Sequence, residues 1–218
     1  MQSGIRALGS LGTVVRIVLW LFIAGCVLTI LLQLSAIFAS EAIFSNPEVF
    51  GVATMAAGGI QLLAFLASIV VIALWLHRAH GNLHESGLGG LNYSASWATA
   101  SFFIPFVNLY VPFASTRELW NRSHGESDWH AAASAGDVTS WAACNWGAFV
   151  VFCALLGYVA LDSIPNLYVL LPTWGWLGMS VLLYIFLAGS AWFVMQFVRK
   201  ITDAQQSGAH LSQSDVFA

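Results

Sequence analysis

Charged residues are scarce in this sequence, and their scarcity excludes an ordinary water-soluble domain. Only 8% of the 218 residues are Asp, Glu, Lys or Arg, whereas 59% are hydrophobic. Soluble domains carry roughly 25% charged residues. A chain of this length is able to bury a core in water, but too few charged residues remain to cover its surface. Lipid is therefore the better solvent for most of the chain.

Basic residues and cysteines are also few. Seven Lys and Arg stand against ten Asp and Glu, for a net charge of -3, which excludes the basic stripe of a nucleic-acid-binding protein. Cys26, Cys144 and Cys153 all lie inside apolar segments. Their odd number and their spacing do not fit a disulfide framework or a thiolate metal site. We expect them to pack as small apolar side chains.

Long apolar runs fill much of the chain, and four of them are long enough to cross a bilayer, for which about 20 helical residues suffice. They cover residues 17–39, 52–76, 138–161 and 169–198. The first run exceeds the roughly 7–15 apolar residues of a signal peptide. We therefore expect it to be retained as the first transmembrane helix.

A fifth apolar segment, residues 96–113, contains Pro105, Asn108 and Pro112. A proline inside a helix removes a backbone donor and costs about 3 kcal/mol, so an uninterrupted helix is not expected here. A broken spanning helix remains an alternative if neighbouring protein satisfies the freed carbonyls. We favour a re-entrant or interfacial element.

The placement of basic residues distinguishes these two alternatives. If residues 96–113 enter and leave on one side, all seven basic residues share a face: Arg6, Arg16, Arg78, Arg117, Arg122, Arg199 and Lys200. If the segment spans, the split is three to four. Because basic residues concentrate on the cytoplasmic side, the sequence predicts four transmembrane helices, a re-entrant element and two cytoplasmic termini.

The predicted fold class is thus all-α, a polytopic membrane helical bundle forming one domain over residues 1–218. Residues near 45 and 165 are expected outside, and residues near 86, 127 and 210 in the cytoplasm. The polar tail, residues 201–218, is expected to be solvated. Gln61 and Asn145 interrupt two spans, and we expect them to form hydrogen bonds to each other, between helices, or to backbone.

The stretch between the second and third spans carries a recognisable pattern. It reads, in order, Trp75-x-x-Arg78-x-x-x-Asn82, Trp97, Pro105-Phe106-x-Asn108 with Pro112, and Glu118-Leu119-Trp120 with Ser123. This pattern, with Ile201–Gln205 near the end, resembles the bacterial membrane family catalogued as domain of unknown function 4328, over about residues 15–206. The resemblance implies a multi-pass protein of the bacterial cytoplasmic (inner) membrane. It supplies no catalytic residue.

Polar residues of this stretch form a candidate binding or structural cluster. Its members are Trp75, Arg78, Asn82, Asn108, Glu118 and Trp120. The i, i+3, i+7 spacing of Trp75, Arg78 and Asn82 puts them on one helix face. We expect Arg78 to pair with Glu118 near Trp75 or Trp120, above a pocket floored by Asn108. Alternatively, Arg78 extends to the lipid headgroups.

Three histidines occupy the opposite arc of the same helix. His77, His80 and His84 have the spacing of side chains that share a transition metal or bind haem. Apart from Glu85, no acidic or thiol ligand lies nearby in the sequence. We therefore expect a polar helix face without metal, and no other cofactor is implied.

No sequence motif indicates catalysis. The chain lacks GxSxG, HExxH, a P-loop and a dinucleotide fingerprint. The leading hypothesis is a non-enzymatic scaffold or accessory subunit that contacts the lipid bilayer and a membrane protein partner or a second copy of itself. The alternatives are a small transporter or channel that uses the break at Pro105–Pro112, and a lipid-binding or lipid-modifying membrane protein.

Overall fold

Four long helices dominate the protein. The computed structural model describes residues 8–38, 47–126, 135–165 and 172–208, and within these ranges it contains no β-strand. The long helices are α1 (Leu8–Phe38), α2 (Pro47–Glu85), α5 (Gly136–Asp162) and α6 (Thr173–Ser207). Each is long and apolar enough to cross a membrane. The predicted all-α fold with four transmembrane helices is confirmed.

The helices extend beyond the apolar runs that predict them. α1 begins at Leu8 instead of residue 17, and α2 continues to Glu85 instead of ending at Leu76. The expectation of a solvated tail from residue 201 is wrong at its start, since Ile201 and Gln205 are fully buried in α6. Polar residues there are buried because other polar groups pair with them, which hydropathy does not reveal. Residues 1–7, 39–46, 127–134, 166–171 and 209–218 lie outside the described residues.

The proline-containing segment is broken, as predicted. It consists of α3 (Ala95–Ala100), two 3-10 turns (Ser101–Phe103 and Val107–Leu109) and α4 (Val111–Ser123). Pro112 falls in the first turn of α4, where a missing backbone N–H costs nothing. Pro105 lies between the two 3-10 turns, next to Phe106, whose φ of 65° is in the left-handed region. A non-glycine residue there stores strain.

The chain divides into two compact units. Unit 1 comprises Met1–Leu19, Leu66–Ser140 and Phe193–Ala218. Its apolar core includes Trp75 and Phe197, whose ring centroids lie 6.2 Å apart. Unit 1 also contains most of the buried polar side chains, among them those of α4.

Unit 2 comprises Trp20–Phe65 and Trp141–Trp192. The two mid-span amides form hydrogen bonds here. Asn145 bonds to backbone, as expected, but the other partners of the two amides are side chains of other residues rather than each other. Gln61 Nε2 donates to Cys26 Sγ at 3.1 Å, and Asn145 Nδ2 donates to Ser190 Oγ at 3.1 Å and to the Trp141 carbonyl at 3.0 Å. These hydrogen bonds give the amide N–H groups partners that lipid cannot supply, whereas Gln61 Oε1 is buried with no hydrogen-bond partner within the described residues.

Candidate functional site

The sequence-predicted residues Trp75 and Asn82 tie α2 to the end of α6. Trp75 is fully buried, and its indole N–H donates to Thr202 Oγ1 at 3.2 Å. Two turns further along α2, Asn82 Nδ2 donates to Gln205 Oε1 at 3.1 Å. Because Trp75 and Asn82 share a helix face, both meet the same face of α6.

Gln205 is the residue on which three helices converge. Besides accepting from Asn82, its side-chain amide donates to the Ala79 carbonyl and to Ser123 Oγ, each at 3.0 Å. The side chain is fully buried. A buried amide with its hydrogen bonds satisfied in this way fixes the positions of its partners. Gln205 therefore joins α2, α4 and α6 in unit 1.

Glu118 on α4 holds the loop that precedes α3. Its carboxylate accepts from the backbone N–H of Asn92 at 2.6 Å, from Asn92 Nδ2 at 3.2 Å and from the Tyr93 N–H at 3.1 Å. Glu118 is fully buried, and hydrogen bonds of this kind are what a buried carboxylate requires. Burial raises the pKa of the Tyr93 phenol, and the nearby Tyr110 and Glu118 raise it further.

Arg122, one helical turn after Glu118, holds the same loop through the opposite backbone group. Its Nη2 donates to the Gly89 carbonyl at 2.8 Å, and Nη1 donates to the Glu126 carbonyl at 3.4 Å. The loop turns at Gly87 and Gly90, whose φ values of 76° and 72° suit glycine. Glu118 and Arg122 on α4 thus hold in place a loop that has few apolar side chains of its own.

Trp120 lies in a group of stacked rings and charges. The ring of His124 stacks on it with a centroid distance of 4.5 Å, and Lys200 Nζ lies 5.7 Å from its centroid. Lys200 also pairs with Asp137 at 2.7 Å. This arrangement connects α4, α5 and α6 in unit 1 through a cation–π contact and an ion pair.

Two of the predicted cluster residues do not join the cluster. Among the described residues, no ion pair forms between Arg78 and Glu118; the expectation that they pair is wrong, because the loop N–H groups occupy the carboxylate. Arg78 is half-buried. Asn108 is exposed in the second 3-10 turn and does not floor a pocket with Glu118. The resulting set, which we call the polar lock, consists of Trp75, Asn82, Glu118, Trp120, Arg122, Thr202 and Gln205.

The three histidines differ in environment. His77 and His84 are exposed, and His84 Nε2 lies 3.0 Å from the Tyr93 carbonyl. His80 is 1% exposed, and neither ring nitrogen has a hydrogen-bond partner within the described residues. Within that same part of the chain, no three His, Cys, Asp or Glu side chains are placed to hold a metal ion.

Sequence reasoning missed Arg122, Thr202 and Gln205 as members of the polar lock. The signal for the last two was present, since Ile201–Gln205 belongs to the pattern that carries the family resemblance. Arg122 enters the sequence analysis only as one of the basic residues that predict the orientation of the chain in the membrane. Periodicity within one segment does not reveal partners that lie more than 100 residues away, as Thr202 does from Trp75.

The four apolar helices and the polar lock define the class of this protein, a multi-span all-α membrane protein with a buried polar centre in unit 1. The chain belongs to the family described as a domain of unknown function (DUF4328), which matches residues 46–203. The matched region includes the pattern from Trp75 to Ser123 and ends within the Ile201–Gln205 segment. Comparisons with curated proteins and with solved structures give no match.

Proposed function

We propose that this protein is a non-enzymatic scaffold or accessory subunit of the bacterial cytoplasmic membrane. The observation that carries the proposal is that the charged and amide side chains of the polar lock form hydrogen bonds to other parts of this chain. Glu118 and Arg122 bind loop backbone, and Gln205 binds three other residues. Groups so engaged stabilise a fold and are not available to act on a substrate.

The first part of α2 offers a surface for a partner helix. Gly51, Met55 and Gly58 lie on one helix face, and Met55 is 79% exposed. A Cβ added at Gly51 or Gly58 would meet no atom within 4 Å. In lipid, small residues allow helix backbones to approach closely. This face suits a transmembrane helix of another protein or of a second copy.

The orientation that we propose has both termini in the cytoplasm. With four spanning helices and a re-entrant or interfacial segment at 96–113, both termini and the segment between α2 and α5 share one side with all seven basic residues of the chain, and this grouping supports the proposal. Of the positions expected to show this orientation, those near 45, 127 and 210 lie outside the described residues.

The broken segment is proposed to re-enter the membrane or to lie at its interface. Phe103, Phe106 and Tyr110 are 60%, 86% and 68% exposed. Aromatic side chains presented in this way favour the interfacial region of the bilayer. The transporter hypothesis, which needs a path along the same break, has no comparable support, since Asn108 is exposed beside these rings.

Gly58→Leu tests the subunit proposal, because this change adds a side chain only where a partner would lie. We expect the variant to keep the thermal stability of the wild type, since a helical leucine is no worse than glycine. Native mass spectrometry of protein released from membranes should show a second copy or a stoichiometric partner for the wild type and its loss in the variant.

Gly178→Leu is the matched control. Gly178 lies exposed in α6, and an added Cβ there also meets no atom within 4 Å, so this variant should keep the complex. A photo-crosslinker at Met55 should give a protein adduct of discrete mass in cells. A monomer in native membranes with lipid adducts alone, or equal loss in both variants, contradicts the proposal.

A further inference from the structure

A groove of about 200 Å³ lies between the beginning of α1 and the end of α6, within unit 1. It exists because glycines let the helices approach. A Cβ at Gly12 would lie 3.2 Å from Thr202 Oγ1, and one at Gly9 would lie 2.7 Å from Gln206 Nε2. Sites for drug-sized ligands measure about 300–1,000 Å³. The groove therefore suits a small polar group and excludes a large substrate.

Two guanidinium groups line the groove where the apolar helices become polar. Arg16 directly precedes the apolar run of α1, and Arg199 directly follows that of α6, after Val198. Basic side chains at such a boundary lie at the level of the lipid headgroups. Both side chains are exposed to the groove's surroundings rather than buried in the core.

The donors available in the groove belong to these arginines and to Gln206. The hydroxyl groups of Thr13 and Thr202 are committed, because they donate to the Gly9 and Val198 carbonyls. Arg199 is only loosely paired with Asp203: Nε lies 4.0 Å from Oδ2, and the side chains are 59% and 68% exposed. Within the part of the chain that the structure describes, most guanidinium N–H groups of the groove therefore have no protein partner and can bind a ligand.

The charges that line the groove indicate a ligand that carries both signs. Two guanidinium groups match a phosphate, which arginine binds through paired N–H donors. Asp203 lines the same groove, and its carboxylate would repel a simple anion. A primary ammonium placed next to the phosphate removes that repulsion and donates hydrogen bonds to the carboxylate.

We propose that this groove binds a zwitterionic phosphate–ammonium group, of the kind that phosphatidylethanolamine carries, with Arg16 and Arg199 on the phosphate and Asp203 on the ammonium. The site is independent of the partner-helix face on α2. A quaternary ammonium has no N–H to donate, so phosphatidylcholine should bind less well. Phosphatidylglycerol lacks the ammonium altogether.

Native mass spectrometry of delipidated protein, titrated in turn with the three lipids, tests the proposal. The wild type should retain phosphatidylethanolamine over phosphatidylcholine by about tenfold, since a hydrogen bond between charged groups separates the two. Asp203→Asn should abolish this preference while lipid binding persists. Arg16→Gln and Arg199→Gln should each weaken retention of all three lipids.

Arg117→Gln is the control, because it removes one basic charge from unit 1 outside the groove, and it should retain lipid like the wild type. A second arm distinguishes a lipid headgroup from a soluble molecule that carries the same phosphate–ammonium group. In it, soluble glycerophosphoethanolamine competes with the lipid, and displacement of the lipid at equal concentration assigns the site to a soluble phosphoester. Equal retention of the three lipids by the wild type overturns the proposal. The proposal is also overturned if Arg16→Gln and Arg199→Gln both retain lipid as well as the wild type does.

Discussion

Gln205 illustrates what a single buried amide contributes to this fold. Its amide group is polar yet fully buried, and its three hydrogen bonds reach α2 and α4. Without the amide, Asn82 Nδ2 would remain buried with no partner, while the Ala79 carbonyl would keep only its hydrogen bond within α2. Unsatisfied buried groups cost about 1–3 kcal/mol each. The loss of Gln205 should therefore lower the free energy of unfolding by more than the loss of its own hydrogen bonds alone.

Gln205→Ala should therefore destabilise the purified protein by at least about 2 kcal/mol, measured by thermal unfolding in mild detergent. Ser207→Ala is the matched control two residues further along α6, where the side chain is exposed and, within the described residues, bonds only to the Ala204 carbonyl. It should change stability by less than about 0.5 kcal/mol. Equal effects of the two substitutions would show that the amide does not join the helices.

Glu118 and Arg78 should behave independently. Glu118→Ala strands the N–H groups of Asn92 and Tyr93 and should cost about 2–3 kcal/mol. Arg78→Ala removes a half-buried side chain that does not pair with Glu118 and should cost far less. A double-mutant cycle on thermal unfolding should give a coupling energy below about 0.5 kcal/mol. A large coupling would restore the ion pair that the sequence alone predicts.

The histidine face should not bind metal. Replacing His77, His80 and His84 together by Gln should leave the metal content of the purified protein unchanged, as measured by elemental analysis. Only the exchange at the buried His80 should alter stability, since His77 and His84 are exposed. Stoichiometric haem or copper in the wild type, lost in the triple variant, would contradict this expectation.

At the scale of the element, α4 and the loop before α3 depend on each other. Among the helices that the structure describes, α4 has the lowest apolar content, and most of its buried side chains from Ser115 to Ser123 are polar. The loop supplies N–H and carbonyl groups for Glu118 and Arg122, while the two side chains supply the loop with hydrogen bonds that it lacks internally. Neither part has an apolar core of its own.

The turn around Phe106 should contact lipid. A spin label at position 106 should collide more often with oxygen than with a water-soluble nickel complex, because oxygen dissolves in the hydrocarbon. Leu63, 68% exposed on the spanning part of α2, is the lipid-facing control, and Glu85, exposed at the end of α2, is the aqueous control. A label at 106 that behaves like the one at 85 would place the turn in water.

At the scale of the whole molecule, orientation is the property that the basic residues predict. In a cysteine-free variant, single cysteines at 45 and 165 should react with an impermeant maleimide added to intact cells. Cysteines at 86, 127 and 210 should react only after permeabilisation, because these positions are expected on the same, cytoplasmic side of the membrane as the basic residues. Labelling at 127 from outside, with 86 still protected, would make residues 96–113 a fifth span.

The membrane location, the four spanning helices and the break at Pro105 and Pro112 were all determined by the sequence alone. Each follows from local physics: about 20 apolar residues cross the hydrocarbon core, and proline removes a backbone donor wherever it occurs. Family membership also followed from local motifs.

The partners of the polar residues were decided only by the tertiary structure. Arg78 and Glu118 attract each other by charge in any sequence-based argument, yet the loop N–H groups at residues 92 and 93 occupy the carboxylate. Gln205 reads as part of a solvated tail, yet it is buried between α2 and α4. Hydrogen bonds are short-ranged and directional, so which groups meet depends on how distant segments pack, and no local pattern in the chain encodes that.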